Sequence, residues 1–251
     1  MTAEFVPTEF AAGAAPAEDM PAVMLPAGPL LLASASMTRR RLLERAGFEI
    51  AICAAPVDEQ AIRGSCAEQG ISPGDVAVIL AELKAQAALA RAPSQIPSYT
   101  GPPSSGGATP GQFLLAADQI LEIDGEMLGK PADHGVAAHQ LMRLQGKTHH
   151  LHTAAVIMRD GVRIWHHLGV NEMVMRPLSE AEIEVYLARL GEAALWSPGS
   201  YQIESIGMHL FSRIGGCHYS ILGLPLLEIT AFLREHGLRL TPTDPPAGDR
   251  P

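Results

Sequence analysis

Residues 30–41 read LLLASASMTRRR, a short apolar run followed by a turn of small residues and three arginines. The run from Leu30 to Ala33 predicts a buried strand, and a helix is predicted from Arg39 to Gly47. A helix N-terminus offers unpaired N–H groups and the positive end of the helix dipole, which suit an anion. Arginines in a first turn oppose that dipole and so reduce the stability of the helix. Residues that reduce local stability often serve a functional site, so we expect an anion site that one arginine faces. Three arginines can also form a merely solvated helix start.

The remaining chain alternates predicted strands and helices in its first half and places a strand pair between helices in its second half. Strands are predicted at residues 48–54, 113–117, 149–158 and 162–175, and helices at 73–92, 133–144, 179–191 and 226–236. This order predicts an α/β fold, with a twisted mixed sheet flanked by helices and two lobes around a central cleft.

Composition predicts one domain over residues 29–238. Residues 1–28 are rich in Ala, Pro and Glu without periodicity, and residues 239–251 are rich in Pro, so both ends are predicted to be disordered tails. Residues 93–112 hold five Pro and four Gly, which predicts a flexible surface insertion.

The charge and the cysteines limit the class of protein. A net charge of −9 argues against a nucleic-acid binder, so any phosphate site must be a local cationic pocket. Three cysteines without a CxxC spacing are typical of a reducing compartment. No window approaches 18 uninterrupted apolar residues, so we expect a cytoplasmic protein that does not contact a membrane.

Two acidic positions follow predicted strands. Asp118 and Gln119 come directly after the apolar run 113–117, where ligands usually bind in an α/β sheet, although Asp118 could simply cap the strand. Asp58 and Glu59 lie beyond the second strand, and carboxylates there suit Mg²⁺. A pair of acids in a loop is more often just solvated.

Lysine is scarce, with only Lys84, Lys130 and Lys147 in the chain. Lys84 lies in a long Ala-rich helix, and Lys130 lies between Gly129 and Pro131. Glycine-rich G-x-G-x-x-G and G-x-x-x-x-G-K-[ST] signatures are absent from the sequence, which removes two common classes of nucleotide-binding site.

Taken in order, seven segments resemble the Maf (septum formation) family of nucleotide pyrophosphatases, over roughly residues 30–238. They are LASxS at 32–36 with its arginines, VDE at 57–59, LAxxKA at 80–85, ADQ at 117–119, GKP at 129–131, GSYQIE at 199–204 and GLPL at 223–226. Each segment alone is weakly specific, but coincidence does not explain seven in the same order.

The resemblance implies a homodimer that hydrolyses nucleoside triphosphates to monophosphate and pyrophosphate, removes non-standard nucleotides from the pool, and uses Mg²⁺ or Mn²⁺. The family's catalytic aspartate falls on Asp118, as a base or as a metal ligand. Its acidic metal-binding residue falls on Glu59. The resemblance further places phosphate binding on Ser36, Arg39, Lys84 and Lys130.

The same resemblance bears on the nucleobase. The Asp-Gln pair followed by a later Glu is similar to the branch associated with 7-methyl-GTP, rather than with dTTP and UTP. We therefore expect base recognition at Thr38, Gln119 and Glu204. Alternatively, Glu204 is a structural acid that forms an ion pair with an arginine. At the next position, Ser205 replaces the glycine that is usual in the family.

Two other functions fit less well. An inosine-triphosphate-type pyrophosphatase would perform the same reaction but matches the segments poorly. A nucleotide-sensing regulator of cell division with weak catalysis has no need of the acids and lysines together.

Overall fold

A computed structural model describes residues 23–91 and 111–240. Residues 1–22 of the predicted N-terminal tail, 241–251 of the predicted C-terminal tail and 93–110 of the predicted insertion lie outside this described part, as does Ala92. None of the helices in the described ranges is long and apolar enough to cross a membrane.

The elements alternate through the chain. The strands are β1 (Val23–Met24), β2 (Leu30–Leu32), β3 (Ile50–Ile52), β4 (Phe113–Ile123), β5 (Glu126–Leu128), β6 (Thr148–Arg159), β7 (Val162–Met175), β8 (Phe211–Gly215) and β9 (Arg239–Leu240). The helices are α1 (Met37–Arg45), α2 (Glu59–Glu68), α3 (Pro73–Arg91), α4 (His134–Leu144), α5 (Glu180–Leu190), α6 (His218–Ile221) and α7 (Leu226–Glu235). Three 3₁₀ turns cover Gly191–Leu195, Pro198–Ser200 and Ile206–Leu210.

Seven strands form one mixed sheet in the order β3-β2-β4-β6-β7-β8, with β5 paired to β4. β2 runs parallel to β3 and β4, whereas β4, β6, β7 and β8 are antiparallel. This sheet, flanked by helices, confirms the predicted α/β class.

The core has an apolar cluster at each end of β4 on one face of the sheet. Phe113 and Leu115 pack with α1 and α7, whereas Leu121 and Ile123 pack with α4 and α5. A third cluster joins α3 to the opposite face. The two predicted lobes around a cleft stay a prediction.

The predicted limits of the domain were too narrow. Val23–Met24 pairs with Arg239–Leu240, and Val23 also bridges to Phe48. Gln112, assigned to the insertion, is buried and donates a hydrogen bond to the carbonyl of Pro29 at 3.0 Å. Two-residue strands are too short to leave a periodic signal in a sequence, which explains the error.

β4 is longer than predicted and does not end at Asp118. β6 pairs with it from Phe113 to Glu122, so the strand continues on that side. On its other side, the described residues provide β2 only as far as Leu115 and β5 only from Leu121. Asp118 and Gln119 therefore lie on an open stretch of strand edge, and the alternative that Asp118 caps a strand end is wrong.

One helix begins earlier than predicted, and another helix was not predicted. α1 begins at Met37, because the side chain of Ser36 accepts a hydrogen bond from the N–H of Arg39 and caps the helix. Glu59 is not in a loop but is the first residue of α2, which Asp58 caps through the N–H of Ala61 at 3.0 Å.

Candidate active site

One cavity of about 1070 Å³ lies beside the open stretch of β4. All nine residues predicted for the site line it: Ser36, Thr38, Arg39, Glu59, Lys84, Asp118, Gln119, Lys130 and Glu204. The fold thus brings together residues from α1, α2, α3, β4 and two loops.

Asp118 is the most deeply placed acid, with 4% of its surface exposed. Its Oδ1 accepts a hydrogen bond from Nζ of Lys84 on α3. Its Oδ2 is buried and has no hydrogen-bond partner among the described residues. Burial raises the pKa of Asp118 above its ordinary value, and the nearby charges of Lys84 and Arg39 offset this only in part.

Glu59 shares the same lysine. Its Oε1 lies 2.7 Å from Nζ of Lys84, so one ammonium group is bonded to both acids. Burial acts to raise the pKa of Glu59, but the charges of Lys84, Lys130 and Arg63 outweigh it and hold the pKa below its usual value. Glu59 is therefore ionised at neutral pH.

The two acids suit a divalent cation that is shared with a substrate. No group of three or more His, Cys, Asp or Glu able to hold a metal occurs in the described part of the chain. Mg²⁺, however, is commonly held by one or two carboxylates together with waters and substrate phosphates. Glu59 and the unbonded Oδ2 of Asp118 fit that donor set.

Arg39 is buried beneath the cavity wall. Its Nε donates to the carbonyl of Gly223 at 2.9 Å, and its Nη1 donates to the carbonyl of Ala117 at 2.8 Å and to Ser34 Oγ at 3.3 Å. Burial lowers its pKa, against the opposing charges of Asp118 and Glu59. Two of its three guanidinium nitrogens thus donate hydrogen bonds to protein, one of them to the residue next to Asp118, and no side-chain hydrogen bond of Nη2 is found in the described ranges.

The two arginines that directly follow Arg39 in α1 differ from each other. Arg40 forms an exposed ion pair with Glu44 at 2.7 Å, whereas Arg41 lines the cavity. Two arginines, Arg39 and Arg41, therefore line the cavity, where one was expected.

The three residues expected to contact the base are placed differently. Nε2 of Gln119 donates to Thr153 Oγ1 at 2.8 Å and to the carbonyls of Ser220 and Ile221 at 3.0 and 3.1 Å, so this side chain joins β4 to α6. Glu204 is exposed, and no ion pair with an arginine is found for it in the described ranges. Thr38 is half-buried on the first turn of α1.

Residues 29–236 match the family model described as Maf-like protein. The chain belongs to the Maf-like family. It is 43% identical over 211 residues to the "Nucleoside triphosphate pyrophosphatase" of Nitrobacter hamburgensis, covering 84% of this chain and 95% of the relative. It is 40% identical over 208 residues to the "7-methyl-GTP pyrophosphatase" of Mesorhizobium japonicum, covering 83% and 96%.

Arg63 and Trp196 are among the residues that line the cavity of this Maf-like protein but were not predicted for the site. Arg63 lies on α2 with Nη1 3.5 Å from Oε2 of Glu59, and a Cβ on Gly129 would lie 2.8 Å from its Nη2. Trp196 is 66% exposed at the cavity wall. The spacing of Arg63 four residues after Glu59 would have indicated an ion pair, had α2 been predicted as a helix.

Proposed function

We propose that this Maf-like protein hydrolyses nucleoside triphosphates between the α and β phosphates, releasing monophosphate and pyrophosphate, in the cavity around Lys84. The names of its relatives support a nucleotide pyrophosphatase. The observation that carries the proposal is Oδ2 of Asp118, which is buried and has no hydrogen-bond partner among the described residues. It lies beside Lys84 and Glu59, at the wall of a cavity large enough for a nucleotide.

The cations of the cavity suit a triphosphate. Hydrolysis of a phosphoanhydride depends mainly on positioning and on neutralising charge at the phosphate oxygens. Lys130 is exposed, and none of the described residues forms an ion pair with it, so its ammonium is available to a phosphate. Ser36 caps α1 and places its hydroxyl at the positive end of that helix.

Asp118 is suited to take a proton from water, or to orient it. A carboxylate with a raised pKa is a stronger base than an ordinary aspartate, and Oδ2 has no competing donor among the described residues. Lys84 holds the other oxygen and so fixes the orientation of the carboxylate. A divalent cation held by Glu59, or by Glu59 and Asp118 where Asp118 acts as a metal ligand rather than as the base, would supply further neutralisation of phosphate charge.

A guanine-type base, including 7-methylguanine, fits the other side of the cavity. Guanine presents N1–H and an exocyclic amine as donors, and the exposed carboxylate of Glu204 accepts such bonds. A methylated, positively charged ring also favours stacking on an indole, and Trp196 presents one. Because Gln119 Nε2 is bonded to protein, this residue would contribute its Oε1 or act through α6.

A panel of triphosphates tests the proposal. GTP, 7-methyl-GTP, ITP, dTTP and UTP are incubated with Mg²⁺ or Mn²⁺, and pyrophosphate release is measured. The proposal expects the highest kcat/KM for a guanine-type nucleotide. A preference for ITP would favour the inosine-triphosphate type of enzyme, and absence of pyrophosphate from every nucleotide would reject the proposal.

The predicted homodimer and the predicted cytoplasmic location belong to this proposal too. Sedimentation velocity on the full chain distinguishes a dimer from a monomer.

A further inference from the structure

A buried glutamine behind the cavity joins two of its walls. Gln140 lies on α4 with 7% of its surface exposed. Its Nε2 donates to the carbonyl of Gly129 at 2.8 Å, and its Oε1 accepts from the N–H of Gly199 at 2.9 Å. Both ends of one side-chain amide are therefore bonded to backbone.

The two backbone segments carry residues of opposite function in the proposed site. Gly129 directly precedes Lys130, on the phosphate side. Gly199 begins the segment 199–204, which ends at Glu204 on the base side. Among the described residues, the side-chain hydrogen bonds of Gln140 alone reach both segments.

The segment at Gly199 is held in a conformation that needs this support. Gly199 has φ 77° and Ser200 has φ 59°, so both lie in the left-handed region. A Cβ at Gly199 would lie 2.6 Å from Cδ1 of Leu121, so the backbone is packed directly against β4. An N–H buried there without an acceptor would be costly, and Gln140 supplies the acceptor.

We propose that Gln140 is a positioning residue that sets the separation of Lys130 from Glu204, so that binding of the correct base aligns the triphosphate for hydrolysis. This inference rests on the proposed function. Gln140 itself does not line the cavity and acts only through the two backbones.

The test compares Gln140→Met with Gln145→Met. Methionine keeps the length of glutamine but makes neither bond. Gln145 is the matched control, since it also accepts a backbone N–H, that of Leu178 at 3.3 Å, at the end of the same helix and away from the cavity. For both variants kcat and KM are measured with the preferred guanine-type nucleotide and with dTTP, together with the melting temperature.

We expect Gln140→Met to raise KM about tenfold and to reduce the kcat/KM ratio between the two bases at least about threefold, as loss of one or two hydrogen bonds implies. Gln145→Met should change neither. Gln140→Asn retains the amide but is one methylene too short to reach both backbones. Gln140→Asn should also reduce the kcat/KM ratio between the two bases, and it provides the test if Gln140→Met does not fold.

An unchanged base ratio in both Gln140 variants, with activity falling only as far as the melting temperature does, would overturn the inference and leave a structural role. Wild-type protein that releases no pyrophosphate would instead reject the proposed function, and this inference with it.

Discussion

Nζ of Lys84 on α3 lies 2.7 Å from Oε1 of Glu59 on α2. The same ammonium group donates to Asp118 on β4, so three elements meet at one cation. Neither acid is satisfied by another described cation at comparable distance, since Arg63 lies 3.5 Å from Glu59. The lysine is therefore central to the stability of the site as well as to its charge.

Replacing Lys84 should destabilise the protein by more than an ordinary ion pair is worth. Lys84→Met leaves a buried carboxylate without its partner, at a cost of about 3 kcal/mol in free energy of unfolding. Adding Asp118→Asn should restore part of that loss. Urea unfolding at pH 7 measures both. Lys147→Met removes an exposed pair with Asp124 and should cost less than about 1 kcal/mol. Equal losses for the two lysines would contradict this interpretation.

Removing the charge of Glu59 should change metal dependence more than nucleotide binding. Glu59→Gln keeps the shape, but Mg²⁺ selects charged oxygens, so more metal should be needed for half-maximal activity. Activity is titrated against Mg²⁺ concentration, with the exposed Glu68→Gln on the same helix as the control. Superimposable titrations for wild type and Glu59→Gln would show that Glu59 does not bind the metal.

The carboxylate of Glu204 should discriminate between bases. Because Glu204 is exposed, water can replace a lost partner there, so the carboxylate is worth about 0.5–1.5 kcal/mol, as much as one ordinary hydrogen bond. Glu204→Gln should therefore erode the preference for a guanine-type nucleotide over dTTP by about threefold to tenfold while hydrolysis survives. The exposed acid Glu192, which does not line the cavity, provides the control Glu192→Gln. An equal fall in kcat/KM for every base would show that Glu204 serves the phosphates or the scaffold.

A buried histidine predicts acid sensitivity of the fold. Burial lowers the pKa of His149 from 6.5 to about 4, and its Nε2 lies 2.9 Å from Oη of Tyr201. The unfolded chain binds the proton first as pH falls from 6.5 to about 4. This linkage therefore removes on the order of 3 kcal/mol of stability across that range, and none of it is lost above pH 6.5.

Chemical denaturation between pH 4 and 8 checks this linkage in His149→Phe. The variant should be less stable at pH 7, because Tyr201 loses its partner, and the difference should shrink towards pH 4.5. The exposed His139→Gln serves as the control. A difference that is constant with pH would assign the acid sensitivity to other groups.

The sequence was most informative where chemistry is carried by local segments. The segments around Ser36, Asp118 and Lys130 could be recognised because each is contiguous, and all nine predicted residues line one cavity. Hydrogen bonds between residues distant in the chain leave no periodic pattern in the sequence. The bond from Arg39 Nε to the carbonyl of Gly223 could therefore not be predicted. The same holds for Gln140, because its two bonds reach Gly129 and Gly199 in other parts of the chain.

The identity of the products, measured for wild type and Asp118→Asn, tests the central claim most directly. Phosphorus NMR follows the preferred triphosphate with Mg²⁺, and Asp124→Asn, an exposed aspartate following the same strand, is the control. We expect wild type and control to give monophosphate and pyrophosphate in equal amounts, and Asp118→Asn to lower kcat about 100-fold or more with the fold intact. Formation of diphosphate and orthophosphate, or near-normal turnover by Asp118→Asn, would contradict the account.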